Sequence, residues 1–357
     1  MFKTLLVTGA AGFIGSNFVD AALEKGYRIV ALDKLNYCGN LENLIDARQN
    51  DRFTFIEGDV ADTAKVLALL QTYQVNRVLH FAAQTHVDRS IKDPTAFIED
   101  NVVGSQHLLD ASLQYWKTLD EASQRAYRHI HISTDEVFGD LTDDEAPFTE
   151  TSPYRPNSPY SASKAAADMF VRAYGKTYGL PVVIVHPSNN YGPRQFPEKL
   201  IPLMIQRALA GDTLPIYGTG KNRRDWMHVS DHCRALLAVI EKAKANETFN
   251  IGSGIETTNI EIVETLCAIL DQKRPKADGH YRDQIEFVTD RPGHDWRYAM
   301  DTNKAHEHLG FSTGVSLQAG LEATVDWYLG NTQWVEHILS GQYRQWIDSQ
   351  YGVKRED

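Results

Sequence analysis

The 357-residue sequence predicts an α/β protein: a doubly wound parallel sheet with a second, smaller α/β lobe. Three observations carry that expectation. Short apolar runs alternate with helical patterns through the first half, a glycine-rich turn joins the first run to the first helix, and the rhythm changes near residue 186. Near-continuously apolar runs separated by helices suit strands covered on both faces, the environment of a parallel sheet.

In chain order the strand candidates are KTLLVTG (3–9), YRIVALD (27–33), RFTFIEG (52–58), NRVLHFA (76–82), YRHIHIS (127–133) and PVVIVHP (181–187). Helical stretches lie between them near 13–25, 40–48, 61–73, 94–118 and 159–178. The acidic, proline-bearing stretch 140–159 is the longest segment without either pattern, and such loops in compact domains are often functional. After residue 186, loops rich in Gly, Pro and Arg (186–199, 217–226, 289–298) alternate with helices near 200–210, 230–245, 258–270 and 315–330. Residues 228–253 read as a helix and then TFNIGSG, a unit able to return to the sheet. The expected division is therefore 1–185 plus about 228–253 for one domain, and about 186–227 plus 254–357 for the other.

Composition narrows the function. Hydrophobic residues at 42% and charged residues at 23% are ordinary for a globular chain, so disorder is not the default. A net charge of -11 opposes nonspecific attraction to nucleic acid or anionic membrane, so an anionic ligand would need a local basic pocket. Cys38, Cys233 and Cys267 are odd in number and lack CxxC spacing, which fits a reducing compartment and speaks against disulfides and zinc. His86 and Asp88 have no third ligand nearby in sequence and read as structural, so no metal is expected. The opening MFKTLLVTGAAGFIG reads as strand and turn rather than a signal peptide, because a helical pattern follows at once. No apolar run approaches the ~18 residues of a membrane span, and a soluble cytoplasmic protein is expected.

TGAAGFIG places Gly9, Gly12 and Gly15 between the first strand and the first helix. Glycines there permit a tight turn, close approach of a pyrophosphate and close helix–strand packing, with the helix N-terminus facing the anion. Asp33 closes the second strand, where a carboxylate can accept from both ribose hydroxyls. An acid at that place repels a 2′-phosphate, so NAD is expected over NADP. Asp59 and Val60, after the third strand, fall where an adenine would lie.

YSASK places Tyr160 and Lys164 on one helical face, where an ammonium lowers the pKa of a phenol and makes it a usable base. Thr134 stands at the end of the fifth strand and is followed directly by Asp135 and Glu136.

Together TGAAGFIG, STDEVFG, YSASK and SNNYGP resemble the extended short-chain dehydrogenase/reductases, and within them the nucleotide-sugar 4,6-dehydratases. HFAAQTHVDRSI (80–91), RRDWMHVSDH (223–232) and DRPGHDWRYAMD (290–301) extend the likeness along nearly the whole chain. The resemblance implies a Rossmann fold, bound NAD and a nucleotide hexose substrate, with dTDP-glucose expected. The implied reaction oxidises the sugar at C4, eliminates water across C5 and C6, and returns hydride to C6. Asp135 would be the acid and Glu136 the base. Tyr160 would accept the C4 hydroxyl proton, Lys164 would lower its pKa and hold the nicotinamide ribose, and Thr134 would bond the C4 oxygen.

By the same resemblance, cofactor contacts extend to Phe13, Ile14, Lys34, Leu35, Asn36, Phe81, Ala82, Ala83, Thr85 and Asn190. The sugar nucleotide is assigned to Thr85, Thr134, Asn189, Glu198, Lys199, Leu200, Pro215, Tyr217, Arg224, Asn259, Arg291 and His294. Three positions depart from the family's common pattern: Phe138 replaces a tyrosine, and Gln84 and Asp100 replace Glu and Thr near the cofactor. Asp100 is expected to turn away or to pair with a cation. A 4-epimerase would share the glycine turn, Thr134, Tyr160 and Lys164 but has no use for the acid pair. A non-catalytic NAD-binding regulator has no reason to keep the Tyr–Lys spacing. A homodimer through a four-helix bundle is expected from 94–118 and 159–178, with Leu108, Leu109, Trp116, Met169 and Phe170 as outward apolar surface and Ala165, Ala166 and Ala167 allowing close approach.

Overall fold

Residues 3–339 are described by a computed structural model. Six strands come from the first half of the chain: β1 (Thr4–Thr8), β2 (Arg28–Asp33), β3 (Phe53–Glu57), β4 (Arg77–His80), β5 (Arg128–Ile132) and β6 (Val182–Pro187). The chain then forms β7 (Asn189–Tyr191), β8 (Leu214–Tyr217) and β9 (Arg223–His228) before β10 (Glu247–Ile251) rejoins the large sheet. β11 (Glu256–Thr258) and β12 (Ile285–Val288) follow.

The large sheet is parallel throughout, in the order β10-β6-β5-β4-β1-β2-β3. Its order reverses between β1 and β4, and ligands bind beyond the carboxyl ends of strands at such a point. The glycine turn ends β1 and Thr134 follows β5, so both face that crevice. β9 pairs with β7 and β11 in a small sheet, and β12 pairs with β8.

Helices α1 (Phe13–Glu24), α2 (Thr63–Thr72), α3 (Val87–Lys92), α4 (Pro94–Phe97), α5 (Gly104–Thr118), α6 (Glu121–Ala126) and α7 (Pro159–Tyr178) belong to the first half. They are followed by α8 (Leu200–Ala210), α9 (Val229–Lys242), α10 (Asn259–Lys273), α11 (Leu317–Gly330) and α12 (Thr332–Leu339). One face of the large sheet is covered by Phe18 and Val19 of α1 with Leu236 and Ile240 of α9. The other takes Val66 and Leu70 of α2, Leu108 and Leu109 of α5, and Val171 of α7. A separate core holds α8, α10 and α11 through Met204, Leu266 and Leu321.

Three expectations are corrected. Residues 40–48 form two short 3-10 turns, because the Asn43 side chain donates to Ala11 O and accepts from Trp334 Nε1, which pins the segment, while Ile45 is exposed. The stretch 94–118 is not one α-helix: Ile98–Val103 is a π turn that lets buried Asn101 bond Gln84 N, Gln84 O and Ser163 Oγ. Leu108 and Leu109 face the sheet, fully buried, so they offer no outward surface. Met169 and Phe170 are exposed as expected, and Ile98 and Val103 join them. The final residues of the expected second domain, 340–357, lie outside the described residues.

Candidate active site

Gly9 has φ 65°, and a Cβ there would meet Ala82 N at 2.6 Å. A Cβ on Gly15 would lie 2.2 Å from Gly9 O, so the turn closes only with glycine at both places. No side chain caps α1, which leaves its first N–H groups for an anion. Asp33 is buried at the end of β2, where Oδ2 accepts from Ala11 N (2.9 Å) and Oδ1 from Leu35 N (2.8 Å). Burial raises its carboxyl, against those two bonds.

These residues line a cavity of about 270 Å³ that runs along the carboxyl ends of the strands. Gly9, Gly12, Phe13, Ile14, Gly15, Asp33, Lys34, Asn36, Asp59, Val60, Phe81, Ala82, Ala83, Thr85, Tyr160, Lys164 and Asn190 all border it. Leu35 does not. Its φ of 53° turns the backbone toward Asp33 and packs the side chain on the core. Asp100 pairs with Lys34 and accepts from Gln84 Nε2 at 2.7 Å, which gives the departing acid its cation. Cys38 and Gly39 also border this cavity, although nothing in their local pattern marks them.

A second cavity, about 200 Å³, adjoins the first. Thr85, Glu136, Asn189, Asn190, Gln195, Glu198 and Lys199 line both. Leu200, Pro215, Tyr217, Arg224, Asn259, Arg291 and His294 line the second. The acidic chain thus concentrates cations where an anionic ligand would need them. Arg224 is buried, held by Asp295 O (2.7 Å) and Trp296 O (3.2 Å), with its guanidinium 4.2 Å from the Tyr298 ring centre. Lys199 Nζ donates to Thr85 O at 2.6 Å. Arg291 is 3.5 Å from Asp88. His294 contacts Asp290 at 2.6 Å, and burial followed by Arg291 pushes its imidazole down to about 4. His86, Asp88 and Tyr298 line this cavity too; His86 also caps α3 by accepting from Arg89 N. Phe138 borders neither cavity: it stacks on Phe148 at 5.1 Å, deep beneath the turn.

Where the cavities meet, Thr134 caps a 3-10 turn over Asp135–Phe138, its Oγ1 accepting from Glu136 N (3.3 Å) and lying 3.2 Å from Asp135 Oδ1. Asp135 is 2% exposed, and burial, with Glu136 and Asp225 adding, pushes its carboxyl up to about 8. Glu136 is half-buried, and burial raises it as well, against Arg291, Lys199 and Arg224. Among the described residues, Asp135 Oδ2, Asn189 Oδ1 and Arg291 Nε have no hydrogen-bond partner. Polar atoms left so at a cavity wall are groups a ligand can satisfy.

α7 presents Tyr160 and Lys164 to the first cavity, which Thr134, Asp135 and Glu136 also line. Its start is fixed by Pro159 in the first turn and a capping box between Ser158 and Ser161, and its end by Gly179 in the left-handed conformation. Burial raises the Tyr160 phenol, with Glu136 adding and the Thr134 hydroxyl opposing. Lys164 Nζ donates to Ile132 O at 2.7 Å, and burial brings its ammonium down to about 8. The Tyr–Lys spacing predicts a lowered phenol; in this arrangement burial is the largest influence on Tyr160 and raises it, with Glu136, Asp135 and Asp168 adding.

Among the described residues, no group of three or more His, Cys, Asp or Glu is placed to hold a metal, and no helix is long and apolar enough to cross a membrane. The family model described as GDP-mannose 4,6 dehydratase matches residues 6–324. The dTDP-glucose 4,6-dehydratase of Xanthomonas campestris is 54% identical over 342 residues, covering 96% of this chain and 97% of that protein. DesIV, the dTDP-glucose 4,6-dehydratase of Streptomyces venezuelae solved with NAD bound, superposes with a TM-score of 0.86 at 43% identity, over 94% of this chain and 99% of its own. The UDP-glucose 4-epimerase of Thermotoga maritima is more distant, with a TM-score of 0.81 and 32% identity over 92% and 99% of the two chains.

Proposed function

The chain belongs to the nucleotide-sugar 4,6-dehydratases, and from that premise we propose that it dehydrates dTDP-glucose to the 4-keto-6-deoxy sugar. One observation carries the choice over 4-epimerisation: two carboxyl groups, Asp135 and Glu136, stand on one turn, both bordering the first cavity and Glu136 bordering the second as well. Epimerisation needs no such pair. We assign the first cavity to NAD and the second to the nucleotide sugar, and the lobes to 1–185 with 228–253 and to 186–227 with 254–357.

Gly9, Gly12 and Gly15 would seat the pyrophosphate and Asp33 the adenosine ribose. A carboxylate in Asp33's place favours NAD over NADP. Bound NAD supplies a reversible two-electron oxidation at C4 that is undone at C6 in the same turnover. Tyr160, which must be ionised for this step against the raised phenol of the free site, would take the C4 hydroxyl proton while Thr134 bonds the same oxygen. Lys164, still largely protonated near neutral pH, provides the cation one helical turn away. The resulting 4-keto group acidifies C5, Glu136 removes that proton, and Asp135 gives its own to the departing C6 hydroxyl. For that role Asp135 must start protonated at neutral pH, which its burial beside Glu136 provides. Lys199, Arg224 and Arg291 would meet the diphosphate, Arg224 and Arg291 with planar forks suited to it. Incubation with a panel of nucleotide hexoses, read by mass spectrometry, tests the reading. Loss of water from dTDP-glucose is expected, and an isomer of unchanged mass would favour the epimerase.

A homodimer belongs to the same proposal. Ile98, Val103, Met169 and Phe170 leave an exposed apolar strip along the π turn and α7, and pairing it across a two-fold axis would build four helices and brace Tyr160 and Lys164. Sedimentation equilibrium at micromolar concentration should show twice the chain mass of 40.2 kDa. The free thiols of Cys38, Cys233 and Cys267 support a reducing, cytoplasmic setting.

A further inference from the structure

We propose, on the reading just given, that Asp168 is a positioning residue for the oxidation step: its buried carboxylate is the counter-charge that holds the Lys164 ammonium beneath Tyr160, with the edge of the His131 imidazole between them. Lys164 and Asp168 are four residues apart on α7, so they share a face. Asp168 is fully buried. Its Oδ2 accepts from Ser133 Oγ (2.6 Å) and Tyr154 OH (3.0 Å) and lies 3.2 Å from His186 Nε2. Its Oδ1 is 3.3 Å from His131 Nε2, and that same nitrogen is 3.5 Å from Lys164 Nζ. One imidazole edge therefore sits between the carboxylate and the ammonium, while Ile132 O takes the ammonium's shortest bond.

The placement argues for more than packing. An ionised carboxylate buried completely among the imidazoles of His131 and His186 and two hydroxyls is costly to keep. Ser133, which bonds it, directly precedes Thr134 and the acid pair, and His131 stands two residues earlier on β5, so the same cluster aligns the end of that strand. Charge runs the same way. His80 on β4 and His131 on β5 face Lys164 and are held down by burial, hence neutral near pH 7, while Asp135 and Glu136 lie beyond Tyr160. His186 on β6 and Tyr154 face Asp168 from its far side. Asp168 itself is held below the ordinary carboxylate range by bonds from His131 and His186, which overcome its burial. It is the anion that favours the Lys164 proton. Removing it must lower the ammonium's pKa, so Lys164 would lose its charge at lower pH.

The test uses the isolated full-length protein with isotope-labelled lysine, the Lys164 resonance being identified by its loss in Lys164→Met. The wild-type midpoint should fall near 8, and in Asp168→Asn about one pH unit lower. Single-turnover reduction of bound NAD on adding dTDP-glucose should slow by about tenfold at neutral pH, with its alkaline limb displaced by the same amount. Tyr154→Phe keeps the anion and should leave the limb in place. If Asp168→Asn does not fold, Asp168→Ser also removes the anion and should give the same downward shift. An unmoved Lys164 midpoint, even with slower oxidation, reduces Asp168 to a packing residue and overturns the proposal. Wild-type protein that cannot reduce its NAD with the sugar nucleotide overturns the underlying reading as well.

Discussion

The turn that follows β5 and the cluster beneath it each bury an aspartate, and they treat it in opposite ways. Asp135 is packed against Glu136 with one oxygen lacking a hydrogen-bond partner, and its carboxyl is pushed up to about 8. Asp168 is buried at least as deeply and its Oδ1 likewise makes no hydrogen bond, yet two hydroxyls and His186 meet its Oδ2, His131 lies 3.3 Å from Oδ1, and it stays an anion. Burial makes charge costly in both places; the partners decide whether the group keeps its proton. One site yields a proton donor and the other a fixed counter-charge, from the same residue type on adjoining layers of one sheet.

The contrast is broken most severely at Asp168. Asp168→Ala strands two hydroxyls and removes the charge that the imidazoles surround, and should cost about 3–5 kcal/mol of stability at neutral pH. A group with a depressed folded pKa contributes above its unfolded value and loses that contribution only as pH falls through the folded one. The loss should thus be undiminished from pH 6 to pH 8 in denaturant melts, and a cost under about 1 kcal/mol would contradict the assigned network.

Asp33 offers an intermediate case, a buried carboxylate that already accepts two backbone N–H groups. Asp33→Ala should weaken NAD binding by about 1–3 kcal/mol in calorimetric titration. Cofactor released from the native protein should be NAD, and recovery of NADP would show that the end of β2 is misread.

Asp135 depends on pH in the opposite direction. Its folded pKa is raised, so the native state holds a proton that the unfolded chain releases, and stability declines as pH climbs from about 4 toward 8. Asp135→Asn escapes that decline. Relative to wild type it should gain about 3–4 kcal/mol between pH 5 and pH 8, seen as a widening difference in Tm. An equal difference at both pH values would mean that Asp135 is ionised throughout.

Much of this was written locally in the sequence. Strand and helix periodicity, the glycine turn, the acids after Thr134 and the Tyr–Lys spacing are all set by neighbours within a few residues, and the resemblance supplied the second cavity's residues. What escaped depends on distant partners. The π turn at 98–103 exists because Asn101 reaches Gln84 and Ser163. Leu108 and Leu109 satisfy a helical pattern on either face, and only the sheet decides which. Asp168 looks like an ordinary polar residue of α7 until β5, β6 and Tyr154 close around it. The raised phenol of Tyr160 likewise reflects burial that spacing alone does not reveal.

The central claim is that Asp135 and Glu136 perform dehydration and not oxidation, and separating those steps tests it most directly. Asp135→Asn and Glu136→Gln should each be mixed with dTDP-glucose in a single turnover, following reduction of bound NAD by absorbance and water loss by mass spectrometry. Both variants keep volume and remove proton chemistry, so reduction of NAD should persist while water loss slows by about 10²-fold or more. Dehydration at near wild-type rate in both would contradict the account.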